Sequence, residues 1–159
     1  MEGIKTLSLG KKANLNHDIS VLLVGNNPIE MSSIYDKLSK LKGKIKRIET
    51  AFTQEDVLSK ITLMHPNCIV LDDNLGIAPL KTIIKNVNAL SKDMISITLL
   101  KSDNREEITS GVQEYLMKDG ISELRIYNAL RNALKFKKTQ QYFKIKYRSG
   151  KRSLKRMFI

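Results

Sequence analysis

Tryptophan is absent from this 159-residue chain, there is one cysteine and three prolines, and from Leu124 onward there is no acidic residue. Each scarcity excludes something. A lone cysteine, Cys68, cannot close an internal disulfide, and its place in an apolar run reads as an inert core thiol. The two histidines, His17 and His65, have no partner at metal-ligand spacing, so a zinc centre is not expected and both read as surface residues. The longest apolar stretches, such as Val21 to Val24 and Met94 to Leu100, are far too short to span a bilayer, and the first residues lack the apolar block of a secretion signal. A cytoplasmic location is the expectation. No glycine-rich phosphate loop is present.

Charge is the first positive feature. The net charge of +12 is confined to one end, because residues 1–123 hold 16 basic and 16 acidic residues while the remainder holds 12 basic and none acidic. The basic balance therefore describes a tail, and the body is neutral.

Residues 1–18 are polar and aperiodic and read as a flexible arm. Ile19 to Val24 reads as a first strand closed by Gly25-Asn26-Asn27, and Pro28 suits the first turn of a helix carrying Met31, Ile34, Tyr35, Leu38 and Leu41. An edge-type strand follows over Lys44 to Thr50, then a helix opened by Thr53 with Asp56 and ended at Pro66-Asn67. The order repeats: a strand at Cys68 to Leu71, a helix from about Pro79 to Leu90, a strand at Met94 to Leu100, a short polar helix around Asn104 to Ser110, and a strand ending at Met117. A last helix has Ile121, Leu124, Tyr127, Leu130 and Leu134 as its apolar stripe. This alternation predicts an α/β fold: a doubly wound parallel sheet of five strands with helices on both faces. The expected layout is an arm over 1–18, a domain over 19–136 and a basic extension over 137–159.

Two apolar runs end in opposite charges. Cys68-Ile69-Val70-Leu71 leads into Asp72-Asp73-Asn74, and Val112 with Tyr115-Leu116-Met117 leads into Lys118. Such runs read as strands buried on both faces, and ligands in these sheets sit beyond the carboxyl ends of the strands. An aspartate and a lysine placed there on neighbouring strands share a pocket, which is what a carboxylate requires if it is to accept a phosphoryl group beside a cation. Asp73, next in the chain, points the other way and reads as a solvated loop carboxylate.

These segments, in this order, resemble the receiver domain of bacterial response regulators over residues 19–136. Val21 to Val24 with Gly25-Asn26-Asn27-Pro28 is similar to the family's first strand and loop, Pro66 to Gly76 to the strand ending in the phosphoacceptor, and Gly111 to Lys118 to the segment ending in the pocket lysine. The resemblance implies the flavodoxin-like strand order 2-1-3-4-5, Asp72 as phosphoacceptor, Lys118 and Thr98 as phosphoryl-binding residues with Ser102 as the second hydroxyl candidate, and Tyr115 as the switching aromatic. It also implies a magnesium site, for which Asp72, Asn26 and Asn74 are the available ligands. The family's acidic pair after the first strand is replaced here by Gly25 and Asn26, so magnesium should bind weakly and phosphorylation at Asp72 should be slow or absent. Asp119 stands where the family commonly has proline.

In the tail, Arg131, Lys135 and Lys138 share one helical face, as do Lys144, Arg148 and Lys151, and Ser149-Gly150 reads as a stop before Arg152, Lys155 and Arg156. Tyr142, Phe143, Tyr147 and Phe158 are interleaved with them. This composition suits nucleic acid, another polyanion such as an anionic membrane, or an acidic protein. The reading that follows is an atypical, stand-alone receiver that signals by binding partners (a kinase or an effector, with a second copy of the chain as a further candidate) and is not an enzyme. The alternatives are a nucleic-acid-binding protein whose receiver-like body is scaffold or dimerisation module, and an enzyme of the same architecture using Asp72 as nucleophile or metal ligand.

Overall fold

The computed structural model describes residues 19–41, 43–90, 95–102 and 110–157, with side chains to Gly150. The expected arm over 1–18, with His17, and Phe158 lie outside the described residues, as do Met94 and all but the last residue of the polar helix expected at 104–110.

The elements are β1 (Ile19–Val24), α1 (Pro28–Ser39), β2 (Ile45–Ala51), α2 (Gln54–Met64), β3 (Cys68–Asp72), a single 3-10 turn (Asp73–Leu75), α3 (Ile77–Leu90), β4 (Ser96–Lys101), β5 (Glu114–Met117) and α4 (Glu123–Met157). The strands form one parallel sheet in order β2-β1-β3-β4-β5. Strand residues alternate between its faces. Leu22, Val24, Ile69, Leu71, Ile97 and Leu99 pack with Val57, Ile61, Leu80, Ile83 and Val87 of α2 and α3. Val21, Leu23, Cys68, Val70, Leu100 and Leu116 pack with Met31, Ile34 and Leu38 of α1 and Ile126 and Leu130 of α4. Both faces being covered, β3 is buried throughout, which is why its run is uninterrupted by polar residues.

Local signals account for the helix starts. Asn27 caps α1, its Oδ1 accepting from the amides of Ile29 (3.1 Å) and Glu30 (3.4 Å), with Pro28 in the first turn. Thr53 Oγ1 accepts from Asp56 N at 3.1 Å to cap α2, and exposed His65 ends that helix with φ of 48°.

Three expectations need correction. The run into Lys118 is not buried on both faces, because β5 is an edge strand with Tyr115 38% exposed. The stripe of the last helix is broader than expected: Tyr127 and Leu130 are buried and Ile121 and Leu134 pack against them, but Ile126, Ala129 and Ala133 are buried as well and Leu124 is 60% exposed. Ser149-Gly150 does not stop that helix, which runs unbroken from Glu123 to Met157 and carries no break at residue 136. Its last buried residue is Lys137, whose Nζ donates to Asn88 Oδ1 at 3.4 Å.

Gly111 enters β5 with φ of 83°, and a Cβ there would stand 2.6 Å from Asn88 Nδ2 and 2.7 Å from Ile84 Cγ2. Gly111→Ala should therefore cost at least the left-handed penalty of about 1–2 kcal/mol, read as a lower thermal midpoint, and an unchanged midpoint would contradict the packing. Thr98, in β4, has a buried Oγ1 with no hydrogen-bond partner among the described residues. Thr98→Val should raise stability by about 1 kcal/mol, and a loss instead would reveal a partner for the hydroxyl.

Candidate functional site at the carboxyl edge of the sheet

Asp72 ends β3 and its side chain falls on the α1/α4 face, in phase with Cys68 and Val70. Lys118 follows β5 by one residue, its amide donating to Lys101 O at 2.9 Å. The two strands are not neighbours, since β4 lies between them, and Lys118 reaches across the end of β4. Its Nζ stands 2.5 Å from Asp72 Oδ1, 3.2 Å from Glu30 Oε2 and 3.3 Å from Asp73 Oδ1. Asp72 is 1% exposed. Its Oδ1 also accepts from Asn74 N at 2.9 Å, the bond that turns the chain into the 3-10 turn.

Three carboxylates thus converge on one ammonium, where the sequence pattern pointed to a single acid. Glu30 went unremarked because nothing in its neighbourhood has a motif; the available signal was an acid in the first turn of the helix that follows β1, hence above the same sheet edge. Asp73 is not simply solvated. The 3-10 turn swings it back, and its Oδ2 and Oδ1 accept from Ser102 N and Oγ, each at 2.7 Å.

The hydroxyl candidates separate clearly. Thr98 pairs in register with Val70, two residues before Asp72, which sets it about 6.6 Å below the edge. It is a core residue of β4, because Leu99 and Leu100 carry the strand on to Lys101. Ser102 is at the edge but serves Asp73, not Asp72. Tyr115 is on the exposed side of β5, with Lys101 Nζ 5.5 Å from its ring centroid.

The ionisation states follow from these contacts. Burial pushes the Asp72 carboxyl above the usual range, against the pull of Lys118 and the Asn74 amide. Burial acts the same way on Asp73, but the bonds from Ser102 and Lys118 outweigh it and hold that carboxyl below the usual range. Lys118 is desolvated, yet Asp72, Glu30 and Asp73 together raise its pKa, so it remains an ammonium.

The donor set does not suit magnesium. Gly25 offers no side chain, and a Cβ there would stand 3.0 Å from Met31 Sδ and 3.2 Å from Asp72 Cβ, so that position is already packed. Asn26 Nδ2 donates to Asn74 O at 3.1 Å, and Asn74 Nδ2 donates to Glu30 Oε2 at 2.7 Å, which turns both amides toward protein partners. Among the described residues no group of three His, Cys, Asp or Glu is arranged to hold a metal ion. The cation shared by the carboxylates is Lys118.

Of the basic residues singled out in the tail, Arg131, Lys135, Lys138, Lys144 and Arg148 lie on α4, and Arg131 lies over the ring of Tyr127, one turn back on the same helix, 5.7 Å from its centroid. Lys151, Arg152, Lys155 and Arg156 continue the helix, with side chains outside the described residues. Among the described residues no helix is long and apolar enough to cross a membrane.

No family model matches the chain. It is 28% identical over 131 residues to the xylose import ATP-binding protein XylG of Histophilus somni (strain 129Pt), an alignment covering 74% of this chain but 26% of that protein, so the chain spans about a quarter of that relative's length. Among solved structures it is similar to the chemotaxis protein CheY4 of Vibrio cholerae, with a TM-score of 0.62 and 17% identity over 72% of this chain and 98% of that one. It is similar also to the signal receiver domain of an HD domain-containing protein from Pseudomonas fluorescens Pf-5, with a TM-score of 0.64 and 17% identity over 79% of this chain and 93% of that one. The fold is that of CheY-like response-regulator receiver domains.

Proposed function

We propose that this chain is a receiver-type signalling module that works by binding protein partners, a kinase or an effector, and not by turning over a phosphoryl group. The observation that carries this reading is the buried Asp72 carboxylate, already closed by Lys118 and the Asn74 amide. Phosphoryl transfer to a carboxylate requires in-line approach to a free oxygen and a cation to neutralise the spreading charge. Here the carboxylate is covered, magnesium would have to displace a lysine held by three acids, and Gly25 is packed where a further acid would stand. Magnesium is therefore a weak ligand at most, and the site is a structural lock with no catalytic residue. The XylG likeness does not favour an ATP-binding reading, because the sequence contains no phosphate-binding glycine loop to go with it. Partner binding falls to surfaces near the lock, among them the β5 edge with its exposed Tyr115.

Incubation of the full chain with magnesium and an acyl phosphate, followed by intact mass measurement, should show no appreciable phosphoryl adduct over the time in which a receiver with an intact acidic pair labels fully. Rapid labelling that disappears in Asp72→Asn would refute the lock. A second test uses pH. Because the folded pKa of Asp73 is depressed, its contribution to stability is complete above the unfolded value of about 3.9 and is lost as pH falls through the lower folded value. The gap in urea midpoint between the wild type and Asp73→Asn should be constant near neutrality and close as pH drops below about 4. A gap independent of pH would mean that Asp73 is not held by Ser102 and Lys118.

A further inference from the structure

Gln140 Oε1 accepts from Gln113 Nε2 of the body at 3.2 Å, and beyond half-buried Gln141 every described side chain, to Gly150, is exposed, so the helix continues for about 25 Å past that anchor. A helix of that length without tertiary contacts is marginal in water, and this one has no carboxylate from which to build stabilising ion pairs along its length. Its surface is sorted. At about 100° per residue, Phe136, Phe143 and Tyr147 fall within about 40° of one another, and they are 50%, 63% and 65% exposed. Lys146 lies about 80° round on one side of this stripe, and Lys144 lies about 80° round on the other, on the same side as the line that packs on the body (Ile126, Leu130, Ala133, Lys137), about 90° from the stripe. Tyr142, edge-on to Phe143 at 5.7 Å and about 120° from the stripe, is covered by Lys146, and Ile145 stands opposite the stripe.

We infer that the α4 extension lies along an anionic membrane surface, with Phe136, Phe143 and Tyr147 entering the interface and the lysines at the flanks reaching the lipid phosphates. An aromatic stripe bordered by cations on both sides is the form of an interfacial helix, whose lysines lay their stems along the apolar layer and keep their charge at the headgroups. The stripe is turned away from the line that packs on the body, so the neutral domain does not stand between it and the surface. Charge decides against a second copy, since pairing two such helices would bring cation against cation. Spacing decides against a single-stranded nucleic acid: the rings are about 10 Å and 6 Å apart along a stiff helix, whereas successive bases stack about 3.4 Å apart.

The test is co-sedimentation of the full chain with vesicles of phosphatidylcholine alone and with vesicles containing phosphatidylserine, beside titrations with single-stranded and duplex oligonucleotides at the same low salt. The full chain should partition onto the phosphatidylserine vesicles and not onto the neutral ones. Phe143→Gln with Tyr147→Gln, both exposed and replaced by a good helix former, should weaken partitioning about tenfold or more, since each ring loses its burial in the interface. Lys144→Glu with Arg148→Glu should weaken it by about fivefold or more per position. Circular dichroism of each variant confirms that the fold is kept. Vesicle binding that the ring substitutions leave unchanged would overturn the inference, because the helix would then be acting by charge alone. Oligonucleotide binding without vesicle binding would replace it with the nucleic-acid reading, and binding to neither would leave a protein partner as the occupant.

Discussion

The Asp72 carboxylate is out of reach of water, and everything at the carboxyl edge of the sheet is arranged around its need for a partner. A buried carboxylate without a cation costs several kcal/mol, more than a domain of this size can spare. Lys118 meets that need from two strands away, and to do so it must itself be held by Glu30 and Asp73. Four segments are thereby tied at one point: the first turn of α1, the end of β3, the 3-10 turn and the residue after β5. The positions of α1 and of the β5 edge relative to β3 are consequences of that knot as much as of the apolar faces beneath it.

The same knot is what the proposed reading, a receiver fold without receiver chemistry, rests on. Glu30, Asp72 and Asp73 form one cluster of acids, and Lys118 is the cation in contact with all three. Met31 packs against Gly25 where the family's pattern would have a carboxylate, and Asn26 and Asn74 bond to the protein and to each other's segment. The cluster is not poor in charge, as the replaced acidic pair suggested. Glu30 and Asp73 supply the missing negative charges, but they do so around an ammonium.

The charge asymmetry of the chain acquires a spatial meaning in α4. Its first half is a domain helix, anchored by Ile126, Leu130 and Ala133 and ending with buried Lys137, whose pKa is lowered by desolvation and by Lys144. Its second half continues the same backbone, bonded to the body at Gln140 and with every described side chain from Tyr142 to Gly150 exposed. Gly150 does not interrupt it, since glycine in a helix costs only about 1 kcal/mol relative to alanine and a single such residue is tolerated.

How much of this was legible depended on whether a property is local. The strand and helix order, the parallel sheet, the pairing of Asp72 with Lys118 and the confinement of positive charge to the tail could all be read from runs, periods and turn residues, while the order of the strands in the sheet came with the receiver resemblance. Each depends on neighbours within a few positions or on the rule that ligands collect at the carboxyl ends of parallel strands. The sequence by itself could not set register or rotation. Whether Thr98 or Ser102 stands level with Asp72 depends on how β4 slides along β3, and one pair of residues moves a side chain by about 6.6 Å. Whether Asp73 faces solvent or Lys118 depends on the 3-10 turn, and Glu30 joins the cluster only because α1 starts over the same edge. Those are distances between segments remote in the chain, and only the folded packing decided them.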